Sequence, residues 1–305
     1  MRTVRAIGAL LISYLFATSA FSWSETGHIV IAELAASKLG TERHELNRIA
    51  GTLATQIESE KRLYLIRNYT DISYLGQVAS FPDSVRNQTV SELFAKYGDS
   101  VPISLTKYSD QNTSNWHYIN QPFISSDYRQ DCNIIDPVNI TTVIPELISA
   151  YGEEESEKNK GIILAFIIHL VADSSQPMHT FTKVFYDCEH DRGGTEFCAS
   201  DRAGDRRCET TLHELWDRAV GYFDETKSLQ QRVNQIDAVQ VNSVVAAQTD
   251  PREWVASGPR QARFIYSVSI NKDPDSIYIQ QGQQRAEQSL AEGAAWLTNV
   301  LKALN

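Results

Sequence analysis

From Gly161 to Ala172 the chain reads GIILAFIIHLVA, apolar throughout apart from one histidine. The run is too short to cross a bilayer, which takes about 20 residues. It predicts instead a helix buried on all sides and stopped by Pro177. Other segments carry one apolar face at helical spacing. Between Gln284 and Leu304, Leu290, Leu297, Leu301 and Leu304 recur at steps of seven, four and three, which predicts an amphipathic helix packed on a core. The stretch SETGHIVIAELAASKLG opens with Ser24 as a cap, puts Ile31, Leu34 and Ala35 on one stripe and stops at Gly40. TTLHELWDRAVGYF predicts a further helix, and GEEESEKNK a solvated turn or helix start. Alternating strand patterns are scarce and no linker or repeat divides the chain, so the pattern predicts a single all-α domain.

Two features qualify this picture at the start of the chain. Arg2 and Arg5, the apolar run Leu10 to Ala17 and the small residues Ala20 and Ser22 have the layout of a secretory signal peptide. Cleavage after Ser22 leaves Trp23 at the mature terminus and a domain over residues 23–305. The protein is then expected to be secreted or periplasmic, with no stable membrane association. Net charge is −10, or about −12 once Arg2 and Arg5 leave with the leader. Such a chain lacks the broad basic face of a nucleic-acid binder, so any anionic substrate needs a local positive site.

An even set of cysteines, Cys132, Cys188, Cys198 and Cys208, in an oxidising compartment predicts two disulfides, with three connectivities open. The triplets Asn68–Thr70, Asn87–Thr89, Asn112–Ser114 and Asn139–Thr141 are potential glycan acceptors.

The candidate chemistry lies in the histidines. In HLVADSSQPMH, His169 and Asp173 share a helix face and His179 returns after a proline turn. LHELWD repeats the spacing with His213 and Asp217. Imidazole and carboxylate on one helix face suit zinc. One such pair is ordinarily a hydrogen-bonded neighbour contact; two pairs with an added histidine are much harder to dismiss. NWHYIN adds His117 among aromatic residues, and VASFPDSVR adds Asp83 with Arg86 three residues on.

In this order, with Trp23 and His28 five residues apart at the expected mature terminus, the motifs resemble the S1/P1 nuclease family. Its members are zinc-dependent single-strand nucleases and 3′-nucleotidases that share a single-domain helical fold with bacterial zinc phospholipases C. The resemblance implies three Zn²⁺ ions. One would take Asp83, His117, His169 and Asp173; a close partner would take Trp23, through its free amine and carbonyl, with His28 and the shared Asp173; a third would take His179, His213 and Asp217. His44 and His190 are left as surface residues. The resemblance also implies that Arg86 and Asp173 serve catalysis and that water is the nucleophile. Tyr118 would stack a base and Asn120 would meet its edge. Three divalent ions against three ligand carboxylates leave a positive cleft in an acidic protein. The implied partners are single-stranded nucleic acid and 3′-nucleotides, handled by a monomer.

Two positions depart from the family pattern. Asn120 stands where an Asp is expected, and an amide both donates and accepts. Thr195 in HDRGGTEF stands where an Asn usually follows the paired glycines. The nearest rival is a zinc phospholipase C, which typically has Glu at the position of Asp217. A structural zinc protein is a more distant rival, since such sites are usually closed and cysteine-rich.

Overall fold

The computed structural model describes residues 23–59, 71–124, 132–201, 208–224 and 226–304. The expected leader and the triplet at Asn68 lie outside them. Among the described residues there are thirteen α-helices and only four short strands. The all-α expectation holds, and no described helix is long and apolar enough to cross a membrane.

The helix Glu157–Asp173 is the axis of the molecule. Every residue from Gly161 to Asp173 is buried, as a segment without a polar face requires. Helices Glu25–Ser37, Glu42–Ser59, Val90–Tyr97, Ile140–Glu153 and Ser276–Ala303 pack around it. The C-terminal helix buries Leu290, Leu297 and Leu301 as its pattern predicts, while Leu304 is half-exposed. Trp23, Trp116, Trp254 and Trp296 fill the same core.

Two expectations about elements are corrected. Ser24 precedes the first helix, Glu25–Ser37, but makes no side-chain cap. That helix ends at Ser37, with Lys38 rather than Gly40 closing it. TTLHELWDRAVGYF is two pieces: the helix Leu212–Asp217 and a 3-10 segment, Ala219–Asp224. Ala219, Val220 and Gly221 have φ of 51°, 54° and 83°, and consecutive left-handed residues cannot continue a right-handed helix.

The strands bring the site together. Gln121–Phe123 pairs in parallel with Phe181–Lys183, in register Gln121 to Phe181. The amide of Ile119 donates to the His179 carbonyl at 2.8 Å, so the segments bearing His117 and His179 run side by side. Cys198–Asp201 and Cys208–Thr211 form an antiparallel pair. The connectivity left open by the sequence is Cys132–Cys188 and Cys198–Cys208. Of the described sequons, Asn87 and Asn112 are exposed. Asn139 is buried and caps helix Ile140–Glu153 through Thr141 N, so its amide is not available to a glycan.

Candidate metal centre

His169 and Asp173 reach the site because they occupy the last turn of the buried axis helix. Asp83 lies in the short helix Phe81–Val85 that packs on that turn, and His117 closes the 3-10 turn Ser114–His117. His28 comes from the first turn of helix Glu25–Ser37, and its ring stacks on His169 with centroids 3.9 Å apart. These five residues form one cluster, buried except for Asp83, which is 11% exposed. Asp173 Oδ2 lies 3.1 Å from His117 Nδ1 and 3.2 Å from His169 Nε2, while Oδ1 lies 3.4 Å from His28 Nε2. Asp83 Oδ1 is 3.6 Å from His169 Nε2 and 3.7 Å from His117 Nδ1. Asp173 thus stands between the two ligand sets that the resemblance implies. Potential ligand atoms group as His28, Asp83 and His169, and as His117, His169 and Asp173.

Trp23 is fully buried beside this cluster, and its indole N–H donates to Ser175 Oγ at 3.0 Å. The next amide, Ser24 N–H, donates to the Asp217 carbonyl at 2.8 Å.

His179, His213 and Asp217 form a separate buried group. His179 Nδ1 lies 2.7 Å from the His117 carbonyl and His213 Nδ1 lies 2.8 Å from the Gly193 carbonyl. A carbonyl only accepts, so both Nδ1 atoms carry the proton. The two Nε2 atoms then present lone pairs to each other at 3.2 Å, an arrangement that calls for a cation between them. Asp217 Oδ2 lies 3.6 Å from His213 Nε2. Asp173 Oδ1, Asp217 Oδ2 and His117 Nε2 are buried with no hydrogen-bond partner among the described residues, and burying such groups unmet is costly. A donor set of imidazoles and carboxylates without thiolates fits zinc.

Charge is divided between the groups. Burial pushes His28 down to about 3, with His169 acting the same way. Burial works against charge on His169 too, but Asp173 and Asp83 outweigh it and raise that histidine to about 10. Burial likewise opposes charge on Asp173, yet His169, His179 and His117 hold it well below the carboxylate range. Asp217 is pushed well above that range, chiefly by burial and also by the nearby carboxylates of Asp83, Asp173 and Glu214, against the Gln176 hydrogen bond.

A cleft of about 450 Å³ opens onto the His179 and His213 group. Arg86, Tyr118, Asn120 and Thr195 line it, so these sequence candidates share one wall system. Tyr118 is half-buried, and its hydroxyl donates to Asn115 Oδ1 at 2.8 Å. His44 is exposed as expected, but His190 is half-buried and also lines the cleft, because a bridge between Val184 and His190 folds its segment back.

Sequence reasoning missed other residues. Arg192 and Asp136 line the same cleft. Gln176 donates to Asp217 Oδ1 at 2.7 Å; its place in SSQPMH reads only as a turn. The one available signal for Arg192 is its position before the paired glycines.

A search of curated proteins finds no match to the chain. The family model described as S1/P1 Nuclease matches residues 23–305.

Proposed function

The chain belongs to the S1/P1 nuclease family, and from that premise we propose that it is a secreted zinc-dependent phosphodiesterase. It cleaves single-stranded DNA and RNA to 5′-phosphorylated products and dephosphorylates 3′-nucleotides. The observation that carries this reading is the pair of Nε2 lone pairs on His179 and His213, facing each other beside Asp217 at the floor of an open cleft.

On this reading three zinc ions would be held, one by Asp83, His117, His169 and Asp173, one by Trp23, His28 and Asp173, and one by His179, His213 and Asp217; the grouping of His117, His169 and Asp173 and of His179, His213 and Asp217 supports it. When bound, zinc lowers the pKa of water and polarises a phosphoryl oxygen. The chain's own residues do the rest. Asp173 Oδ2 holds His117 and His169 together, and its Oδ1 is left facing His28. Arg86, in the cleft wall, offsets charge that develops on the phosphate. Tyr118 offers a ring face to a base, a contact worth about 1–3 kcal/mol and closed to bases inside a duplex. Asn120 meets the base edge as donor or acceptor, which broadens base preference relative to an Asp.

Processing between Ser22 and Trp23 belongs to the same reading, because it frees the amine that Trp23 contributes. The indole contact to Ser175 and the Ser24 contact to Asp217 support it by holding this segment against both metal groups.

The test is release of 5′-mononucleotides from single-stranded DNA and RNA by purified mature protein, with a 3′-nucleotide and a choline phospholipid in parallel. Release that disappears on chelation and returns with zinc is the expected result. Cleavage of the phospholipid alone would overturn the substrate assignment and leave the metal centre standing.

A further inference from the structure

Between His190 and Arg192, which line the cleft, sits a buried carboxylate that no step above uses. Asp191 is 2% exposed. Its Oδ2 accepts from the Tyr266 hydroxyl at 2.5 Å, and its Oδ1 accepts from Thr182 Oγ1 and Lys183 N, both at 3.0 Å. With its own proton directed to Asp191, Thr182 Oγ1 is free to accept from Gly193 N–H at 2.9 Å. The other face of that glycine, its carbonyl, accepts from His213 Nδ1. The hydrogen bonds form one continuous series from Tyr266 through Asp191, Thr182 and Gly193 to the imidazole.

The backbone around this series tolerates little alternative. Arg192, Gly193 and Gly194 have φ of 50°, 62° and 82°, a left-handed run that the two glycines adopt readily and that costs energy at Arg192 alone. A Cβ on Gly193 would lie 2.7 Å from the Met178 carbonyl, and one on Gly194 would lie 2.5 Å from Met178 Cε. The loop is therefore wedged between the His179 turn and the His213 helix. Tyr266 is fixed in turn, its ring stacked on Phe123 at 6.0 Å and edge-on to Phe181 and Phe197.

We propose that Asp191, held by Tyr266 and Thr182, is a positioning residue that sets the Gly193 carbonyl behind His213 and so determines how firmly the His179, His213 and Asp217 group retains zinc. This rests on the reading of that group as the third zinc site. The carbonyl selects the tautomer whose Nε2 lone pair faces the metal, and groups in this role typically change metal affinity by about 10- to 100-fold when altered. Among the described residues the series ends at His213 and includes none of the ligands assigned to the other two zincs, so those positions are expected to respond less.

The experiment measures zinc per chain and the rate of zinc release to a chromogenic chelator, on folded mature protein checked by circular dichroism. Tyr266→Phe and Asp191→Asn are expected to release one zinc of three about 10- to 100-fold more readily, with the other two as in the wild type. Thr182→Ser, which keeps the hydroxyl, restores normal release, and Thr182→Val does not. Should Asp191→Asn not accumulate as folded protein, Tyr266→Phe and the two Thr182 variants carry the test. Wild-type release in Tyr266→Phe and Thr182→Val overturns the proposal, as does equal weakening of all three zincs, the mark of general loosening. His179→Ala separates the two levels. If it holds as many zincs as the wild type, the reading of the third site falls, and the proposal with it. If it holds one fewer while Tyr266→Phe releases normally, the relay alone falls.

Discussion

His28 and His169 stack face to face yet are driven in opposite directions, His28 down to about 3 by burial and His169 up to about 10 by Asp173 and Asp83. Their linkage to stability therefore has opposite signs around the ordinary value of 6.5. As pH falls from 6.5 towards 3, an unfolded His28 takes up a proton that the folded one refuses, so the metal-free fold loses stability. As pH rises from 6.5 towards 10, the unfolded His169 sheds a proton that the folded one keeps, and stability is lost again. Thermal melts of chelated protein from about pH 4 to 10 should peak near 6.5, and zinc, by replacing the His169 proton, should flatten the alkaline limb. An alkaline limb unchanged by zinc would sink this account. The clustering of these residues was legible at this scale because histidine and aspartate four apart on a helix share a face whatever the tertiary fold. Asp191, Gln176 and His190 were not. Their roles depend on a left-handed glycine, a proline turn and a bridge to Val184, none of which leaves a periodic trace.

Among the elements, the six-residue helix Leu212–Asp217 carries two of the proposed ligands and has little intrinsic stability at that length. Its start is secured by a capping box, Thr211 accepting from Glu214 N and Glu214 reaching back to the Thr211 amide. Thr211→Ala should cost about 1 kcal/mol of stability and loosen zinc at His213 and Asp217 before global unfolding. Denaturant melts alongside zinc titration check both parts, and a stability loss with unaltered zinc affinity would show that the helix start does not govern the ligands. The axis helix was legible from its unbroken apolar run. The break after Asp217 was hidden because Ala219 and Val220 are ordinary helix-compatible residues, held left-handed here by their surroundings. Asn139 misled in the opposite direction, since an acceptor triplet and a helix cap share the same residue type.

For the whole molecule, the sequence pattern announced a helical domain around one buried segment but not how the cleft is framed. The Cys132–Cys188 bridge ties the segment bearing Ile134 and Asp136 to the one bearing His190 and Arg192, all of which line the cleft. It closes a loop of 56 residues, for which chain entropy gives about 4 kcal/mol. The double variant Cys132→Ser with Cys188→Ser should lower unfolding stability on that scale and raise KM more than it lowers kcat, because it frees the cleft wall while the ligands stay anchored in the core. An unchanged KM would remove the bridge from any part in substrate binding. The axis helix imposes the opposite regime. With His169 and Asp173 projecting from a fully buried turn, the proposed metal chemistry and the packing of the core place their demands on the same residues. On the proposed function, a lineage of such enzymes is free to rebuild its rim and change what it digests, but drift in the register of that one helix would forfeit metal and fold together.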